Sequence, residues 1–345
     1  MGAGVSSDPL TFRVADPEGR YTAVRLCSDL HLSDRERSFA RDGAEWVLEI
    51  DAPSIARLEY HLEVTDADGV SETGPDPGNP FRAPGAFGEK SVLLAPGYEP
   101  PAWLDVPPVE GHFTDFAVRG RGLGAHVHGR IWSPANATEP LPLLVAHDGP
   151  EYDKLAFLTR YAGAMIAAGT LPPHRVAMLS PGPRDEWYSA SALYSRALYV
   201  DVIPGLREAV PVEGLPVGMG ASLGALAMLV TQRRAPGTFG ALFLQSGSFF
   251  MPRFDSQESG FPRYGRIVRV VRRILRSRAH ADPVPVQLTC GTAEENVSNN
   301  RVMARALAEQ GYDARLDEVP DMHNYTGWRD AFDPHLTRLL AKAWT

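Results

Sequence analysis

A change of period about a third of the way along the chain constrains its architecture more than any other feature. From Thr11 to about Leu94 the apolar residues fall in short β-type runs: TFRV, YTAVRLCSDLHL, EWVLEI, ARLEYHLEVTD and KSVLLA. Asp-Pro-Glu-Gly, Arg-Asp-Gly and Asp-Ala-Asp-Gly turns break them up. No helical period appears there, and regularly spaced strands without helices predict an all-β, immunoglobulin-like sandwich. The proline-rich segment APGYEPPAWLDVPP reads as a semi-rigid linker, which sets the expected domains at 1–105 and 106–345. Beyond it come the strand-like runs HFTDFAV, GAHVHGRIWS, LPLLVAH, RVAMLSP, LPVGMGA, GALFLQS, VPVQLTC and ARLDEV. Amphipathic helices fit between them from Tyr152, Ala190, Leu223, Arg263 and Asn296, with a last one near His335. Two antiparallel-looking strands followed by repeated strand–helix units predict a mostly parallel α/β sheet with helices on both faces.

The pentapeptide Gly220-Ala221-Ser222-Leu223-Gly224 falls between the strand LPVGMG and the helix LGALAMLVTQRR. Glycines are needed there because a sharp strand-to-helix turn crowds side chains two residues to either side of the serine. Such a turn lifts the Ser222 hydroxyl above the sheet and puts the Leu223 N–H at a helix N-terminus, where it faces a developing oxyanion. The same residues also suit a plain small-residue turn packing helix on strand. In the α/β-hydrolase fold the acid and the histidine follow the serine in that order. After VPVQLTC comes Gly291-Thr292-Ala293-Glu294-Glu295-Asn296, with Glu294 as the acid and Glu295 in reserve; a bland alternative is an acidic helix start. After ARLDEV comes Pro320-Asp321-Met322-His323, and His323 is the histidine in the required loop. The expected chemistry is ester hydrolysis through an acyl-enzyme, with Ser222 as nucleophile, His323 as base and Glu294 orienting it. It requires no cofactor and no metal. His126 and His128 share a strand face but have no carboxylate or cysteine nearby, so a half-exposed strand is expected there.

Composition narrows the class further. The formal charge of −8 disfavours nucleic-acid partners, which call for a basic surface. The apolar runs stop short of the roughly 18 to 20 residues of a membrane helix, and MGAGVSSDPL lacks the basic and apolar regions of a signal peptide. With only two cysteines, Cys27 and Cys290, these features predict a soluble cytoplasmic protein without membrane association. Met1 to Ser6 fits the loose myristoylation pattern, which matches often by chance. The oligomeric state is not legible.

Several of these motifs together resemble the enterochelin esterase group in the esterase D-like branch of the α/β-hydrolases. They are Asp148-Gly149, the run from Arg184 to Pro204, the elbow GMGASLGALAML continuing to Leu244-Gln245-Ser246-Gly247-Ser248-Phe249, and Gly291 to Glu294 with His323 and Trp328. Asp76-Pro77-Gly78-Asn79-Pro80 looks like part of the sandwich that precedes the esterase there. The resemblance implies hydrolysis of a catecholate siderophore ester, iron-loaded or free, inside the cell. Relatives of the same branch are similar to feruloyl and acetyl esterases, so a general carboxylesterase is the alternative, and a non-catalytic binding protein on this fold a third. One departure stands out: the residue after Asp-Gly, a source of the second oxyanion N–H in related enzymes, is Pro150, which has none, so Glu151 or a shifted loop must donate.

Substrate contacts are expected from Arg184, Tyr188, Tyr152 and Trp328, with Trp187 beside them. An Arg184–Glu186 ion pair shaping the loop is an equal alternative for the arginine. The basic stretch from Arg263 to Arg278 has apolar residues at helical spacing, which fits a lid that steers an anionic ligand, an amphipathic helix with its arginines in water or, as a third option, a membrane-surface helix.

Overall fold

A computed structural model describes residues 9–344 other than 52, 86–87 and 279–281; the Met1 to Ser6 pattern lies outside the described residues. The chain forms two compact units. The first ends at Glu99 and also takes in Gly291–Glu294 and Val319–Asn324; the second holds the rest.

In the first unit, strands β1 (Leu10–Ala15), β3 (Ala40–Asp42) and β4 (Glu45–Ile50) form one antiparallel sheet in the order β1-β4-β3. Strands β2 (Tyr21–Ser28), β5 (Arg57–Asp66), β7 (Arg82–Ala83) and β8 (Lys90–Leu94) form a second in the order β2-β5-β8-β7, with β6 (Ser71–Gly74) paired to β5. Alternate residues point inward: Phe12 and Val14 from β1 and Trp46, Leu48 and Ile50 from β4 meet Val24 and Leu26 from β2 and Leu58, Tyr60 and Leu62 from β5 in one core. Each such burial contributes about 1.5 to 3 kcal/mol. The expected sandwich is therefore present, closed by turns such as the one at Gly43, whose φ of 60° an L side chain resists. The short strands β3, β6 and β7 carry too little pattern to be legible in the sequence.

The second unit is built on an eight-stranded sheet. Its strands are β9 (Gly111–Gly120), β10 (Ala125–Pro134), β11 (Leu143–Ala146), β12 (Arg175–Leu179), β13 (Val217–Ala221), β14 (Ala241–Gln245), β15 (Val286–Gly291) and β16 (Ala314–Val319), in the order β16-β15-β14-β13-β11-β12-β10-β9. The pairs β9/β10 and β10/β12 are antiparallel, and the pairings from β12 through β11, β13 and β14 to β15 are parallel. The helices are α1 (Gly149–Ala156), α2 (Leu158–Ala167), α3 (Arg184–Trp187), α4 (Ala192–Ala197), α5 (Ile203–Ala209), α6 (Leu223–Arg234), α7 (Tyr264–Arg276), α8 (Val297–Glu309), α9 (Tyr325–Asp330) and α10 (Thr337–Ala343).

Strand β11 shows why both faces are covered. Leu143 and Val145 enter one core with Leu226 of α6, Val271 of α7 and Met303 of α8. Leu144 and Ala146 enter another with Tyr152 of α1, Tyr161 of α2 and Leu340 of α10. A strand buried on both sides reads as a continuous apolar run, as Leu-Leu-Val-Ala does. The arrangement is the α/β-hydrolase fold. The chain enters the second unit at Pro100 rather than at residue 106, because Trp103 is buried there against Tyr161 and Phe332. Among the described residues no helix is long and apolar enough to cross a membrane.

Candidate active site

Ser222 sits between β13 and α6 with φ 55° and ψ −122°, a conformation an L-residue adopts only where its surroundings hold it. The hold is visible: Ser222 N–H donates to the Gln245 carbonyl at 2.9 Å, and Ser248 N–H donates to the Ser222 carbonyl at 3.1 Å. A Cβ at position 220 would come within 2.6 Å of the Gly224 carbonyl carbon, so the first glycine is dictated by backbone approach. Ser222 remains partly exposed, and its Oγ lies 3.0 Å from Ser248 Oγ. Leu223 opens the twelve-residue α6, so its N–H is one of the unpaired donors at that helix start.

The loop after β14 is fixed by groups that carry no obvious chemical signature. Asn300 of α8 accepts from Gly247 N–H at 3.1 Å and donates to the Gly247 carbonyl at 2.9 Å. Asn296 donates to the Ser246 carbonyl at 3.4 Å, and Trp328 Nε1 donates to Ser246 Oγ at 2.9 Å. Sequence reasoning assigned no role to Ser248, Asn296 or Asn300. The available signal was the run Asn296-Val297-Ser298-Asn299-Asn300, poor helix formers at a helix start.

Below the elbow, His147 is fully buried; its Nδ1 donates to the Gly224 carbonyl at 3.0 Å and its Nε2 accepts from Tyr194 Oη at 2.9 Å. The histidine thus braces the first turn of α6 as a neutral ring. Burial pushes its pKa down to about 4, and does the same to His174. Both rings stay neutral in the folded chain while the unfolded chain takes up protons from about pH 6.5 downward. Stability is therefore full above pH 6.5 and is lost toward pH 4, by about 3 kcal/mol for each imidazole. Urea unfolding midpoints are expected to fall across that window, and less steeply in His174→Gln; an unchanged slope in that variant contradicts the assignment.

The residues expected to contact substrate have protein partners of their own or are buried. Arg184 Nε and Nη2 each donate to Asp148 at 2.9 Å, a fork that occupies the cation intended for an anionic ligand. The alternative Arg184–Glu186 pair does not form either, because Glu186 takes Arg263 and Arg266 of α7. Tyr188 and Tyr152 have no exposed surface, and Trp187 and Trp328 are nearly as buried. Tyr152 Oη donates to Gln245 Oε1 at 2.9 Å, and Gln245 Nε2 donates to the Trp328 carbonyl at 3.0 Å. These aromatics brace the β14 loop from inside instead of presenting open faces. Glu151 lies in the first turn of α1, after Asp148 in a left-handed conformation at φ 49°. Beyond Arg263 and Arg266, α7 turns Ile267, Val271 and Ile274 into the core and leaves Arg269, Arg272, Arg273 and Arg276 exposed.

The residues expected as acid and base, Glu294 and His323, both belong to the first unit. His323 Nδ1 bonds Glu294 Oε2 at 2.9 Å, and Glu294 Oε1 accepts from Gly291 N–H at 2.8 Å. The Glu294 side chain is 1% exposed and that of His323 33%. Gly291 is required here, since a Cβ would meet the Asp321 carbonyl oxygen at 2.3 Å. The reserve Glu295 is exposed and accepts from Gln257. His126 and His128 lie with ring centroids 5.9 Å apart, and among the described residues no group of three or more His, Cys, Asp or Glu side chains is arranged to hold a metal ion.

The fold and the elbow define a carboxylic ester hydrolase of the α/β-hydrolase class. Residues 121–339 match the Esterase family model, and the chain belongs to that family. Enterochelin esterase from Shigella flexneri superposes with a TM-score of 0.75 at 19% identity, over 99% of this chain and 94% of its own. Ferric enterobactin esterase from Salmonella typhimurium gives 0.73 at 18% identity, over 98% and 97%. A ferulic acid esterase gives 0.56 at 14% identity, over 68% of this chain and 98% of its own. No curated protein matches at the sequence level.

Proposed function

We propose that Ser222, His323 and Glu294 form one proton relay that hydrolyses a catecholate siderophore ester through an acyl-enzyme, in the cytoplasm. The observation that carries it is the Glu294–His323 bond, the carboxylate-to-imidazole contact by which a relay of this kind orients its base. Ser222 Oγ attacks the ester carbonyl while His323 Nε2 takes its proton. The oxyanion is stabilised by the N–H groups of Leu223 and Glu151, the donor that Pro150 leaves in line on α1. His323 returns the proton to the leaving alcohol, and a water repeats the sequence to release the acid. The siderophore class is supported by the Shigella flexneri neighbour, described in the presence of enterobactin and of 2,3-dihydroxy-N-benzoyl-serine.

The Arg184–Asp148 fork favours a second reading, a general carboxylesterase for small acyl or feruloyl-type esters, because it neutralises the cation an anionic complex would use. Ferric enterobactin, ethyl ferulate and p-nitrophenyl acetate, compared by kcat/KM on the purified chain, separate the two. A preference for ferric enterobactin supports the siderophore assignment. A preference for the uncharged esters transfers the assignment to the second reading.

A further inference from the structure

In a sandwich strand, residues opposite the core side face water, and β5 departs from that rule. Leu58, Tyr60 and Leu62 point into the core, yet Arg57 and Glu59 on the other side are only 3% and 5% exposed. What covers them comes from the far end of the chain. The segment Val319–Asn324, which carries His323, belongs to this unit. Arg57 Nη1 donates to Asp321 Oδ2 at 3.2 Å and to Asn324 Oδ1 at 3.1 Å, while Nη2 donates to Glu59. The second Asp321 oxygen accepts from Met322 N–H at 2.7 Å and from Asn324 Nδ2 at 2.9 Å. Side chains before and after His323 are thereby tied to one guanidinium, and of the four residues from Asp321 to Asn324 only His323 turns outward.

Two further contacts seat the turn. Ala56 N–H donates to the Pro320 carbonyl at 2.6 Å, and Met322 is buried in the sandwich core. The same stretch of the first unit reaches the acid's loop, where Thr292 Oγ1 donates to the Ser54 carbonyl at 2.8 Å and Ala293 packs on that core. We infer that Arg57 is a positioning residue for the base, and that the N-terminal sandwich acts as the mount of the His323 loop. This rests on the relay proposed above. A buried ion network adds little stability that apolar residues of equal volume would not supply, so a positional use accounts better for the cost of desolvating a guanidinium and two carboxylates. The value of position is large, since a displacement of about 1 Å can cost on the order of 10²-fold in rate.

Asp321→Asn tests it. The substituted amide keeps the bond from Met322 N–H but turns an NH₂ toward Arg57, donor against donor, whereas Arg57→Met would strand two buried carboxylates. With p-nitrophenyl acetate, kcat is expected to fall on the order of 10²-fold with KM unchanged and the circular dichroism spectrum intact. In a His323→Ala background the same substitution is expected to cost nothing further, because the group it positions is gone. An equal loss in both backgrounds, or no loss beside an intact His323, overturns the inference. Asn324→Ala, which removes the second acceptor of Arg57 Nη1, is read by the same cycle should Asp321→Asn fail to fold. A His323→Ala chain as active as wild type overturns the relay itself and the positioning role with it, whereas a His323-dependent chain indifferent to Asp321→Asn overturns the positioning role alone.

Discussion

Ser222→Ala is expected to lower kcat for p-nitrophenyl acetate on the order of 10⁵-fold and to abolish covalent labelling by a fluorophosphonate. The substitution removes the proposed nucleophilic oxygen and leaves the scaffold that holds it: the turn is set by backbone bonds from Ser222 to Gln245 and from Ser248 to Ser222, and neither uses the hydroxyl. The variant should therefore fold and bind substrate normally, so that KM changes little while kcat collapses. Residual hydrolysis from substrate held against the Leu223 N–H is expected to remain measurable above water. Persistent labelling in Ser222→Ala would move the nucleophile elsewhere, and Ser248, whose Oγ lies 3.0 Å away, is the hydroxyl to examine next.

What was legible in the sequence follows from how far each signal reaches along the chain. The elbow is a local event: Gly220, Ser222 and Gly224 meet their constraints within five residues, and strand and helix flank them directly. The inner strands β11, β13 and β14 were equally legible, because a strand buried on both faces is written as a nearly uninterrupted apolar run. Sequence put Glu294 first with Glu295 in reserve, and the tertiary turn at Gly291 separates them, directing one carboxylate to the His323 ring and the other outward. The partner of Arg184 was not legible for a related reason, since Asp148 lies thirty-six positions upstream whereas Glu186 was the carboxylate in view. Tyr152 and Tyr188 show a further limit, because an aromatic that lines a pocket and one that braces a loop from inside have the same periodicity. The burial of Arg57 had no local sign at all: its neighbours alternate as a half-exposed strand does, and its cover arrives 264 residues later.

Glu294→Gln is expected to be nearly as damaging, lowering kcat on the order of 10⁴-fold, although the side chain keeps its shape. The carboxylate accepts at both oxygens, from Gly291 N–H at 2.8 Å and from His323 Nδ1 at 2.9 Å. An amide can accept at only one. With its oxygen toward Gly291, its NH₂ meets Nδ1 and drives the imidazole proton to Nε2, where the ring can no longer take a proton from the serine. With its oxygen toward His323, its NH₂ opposes the Gly291 N–H at a position where the native side chain is only 1% exposed, and the cost of that clash shifts the population back to the wrong tautomer. Lost negative charge beside the imidazolium compounds the effect, because the carboxylate stabilises the ring in the protonated form it adopts during attack. Fluorophosphonate labelling should slow in proportion to kcat, since both use the same base. Full activity in Glu294→Gln would mean that the bond to His323 has no part in the reaction, and the acid would then have to be sought elsewhere in the chain.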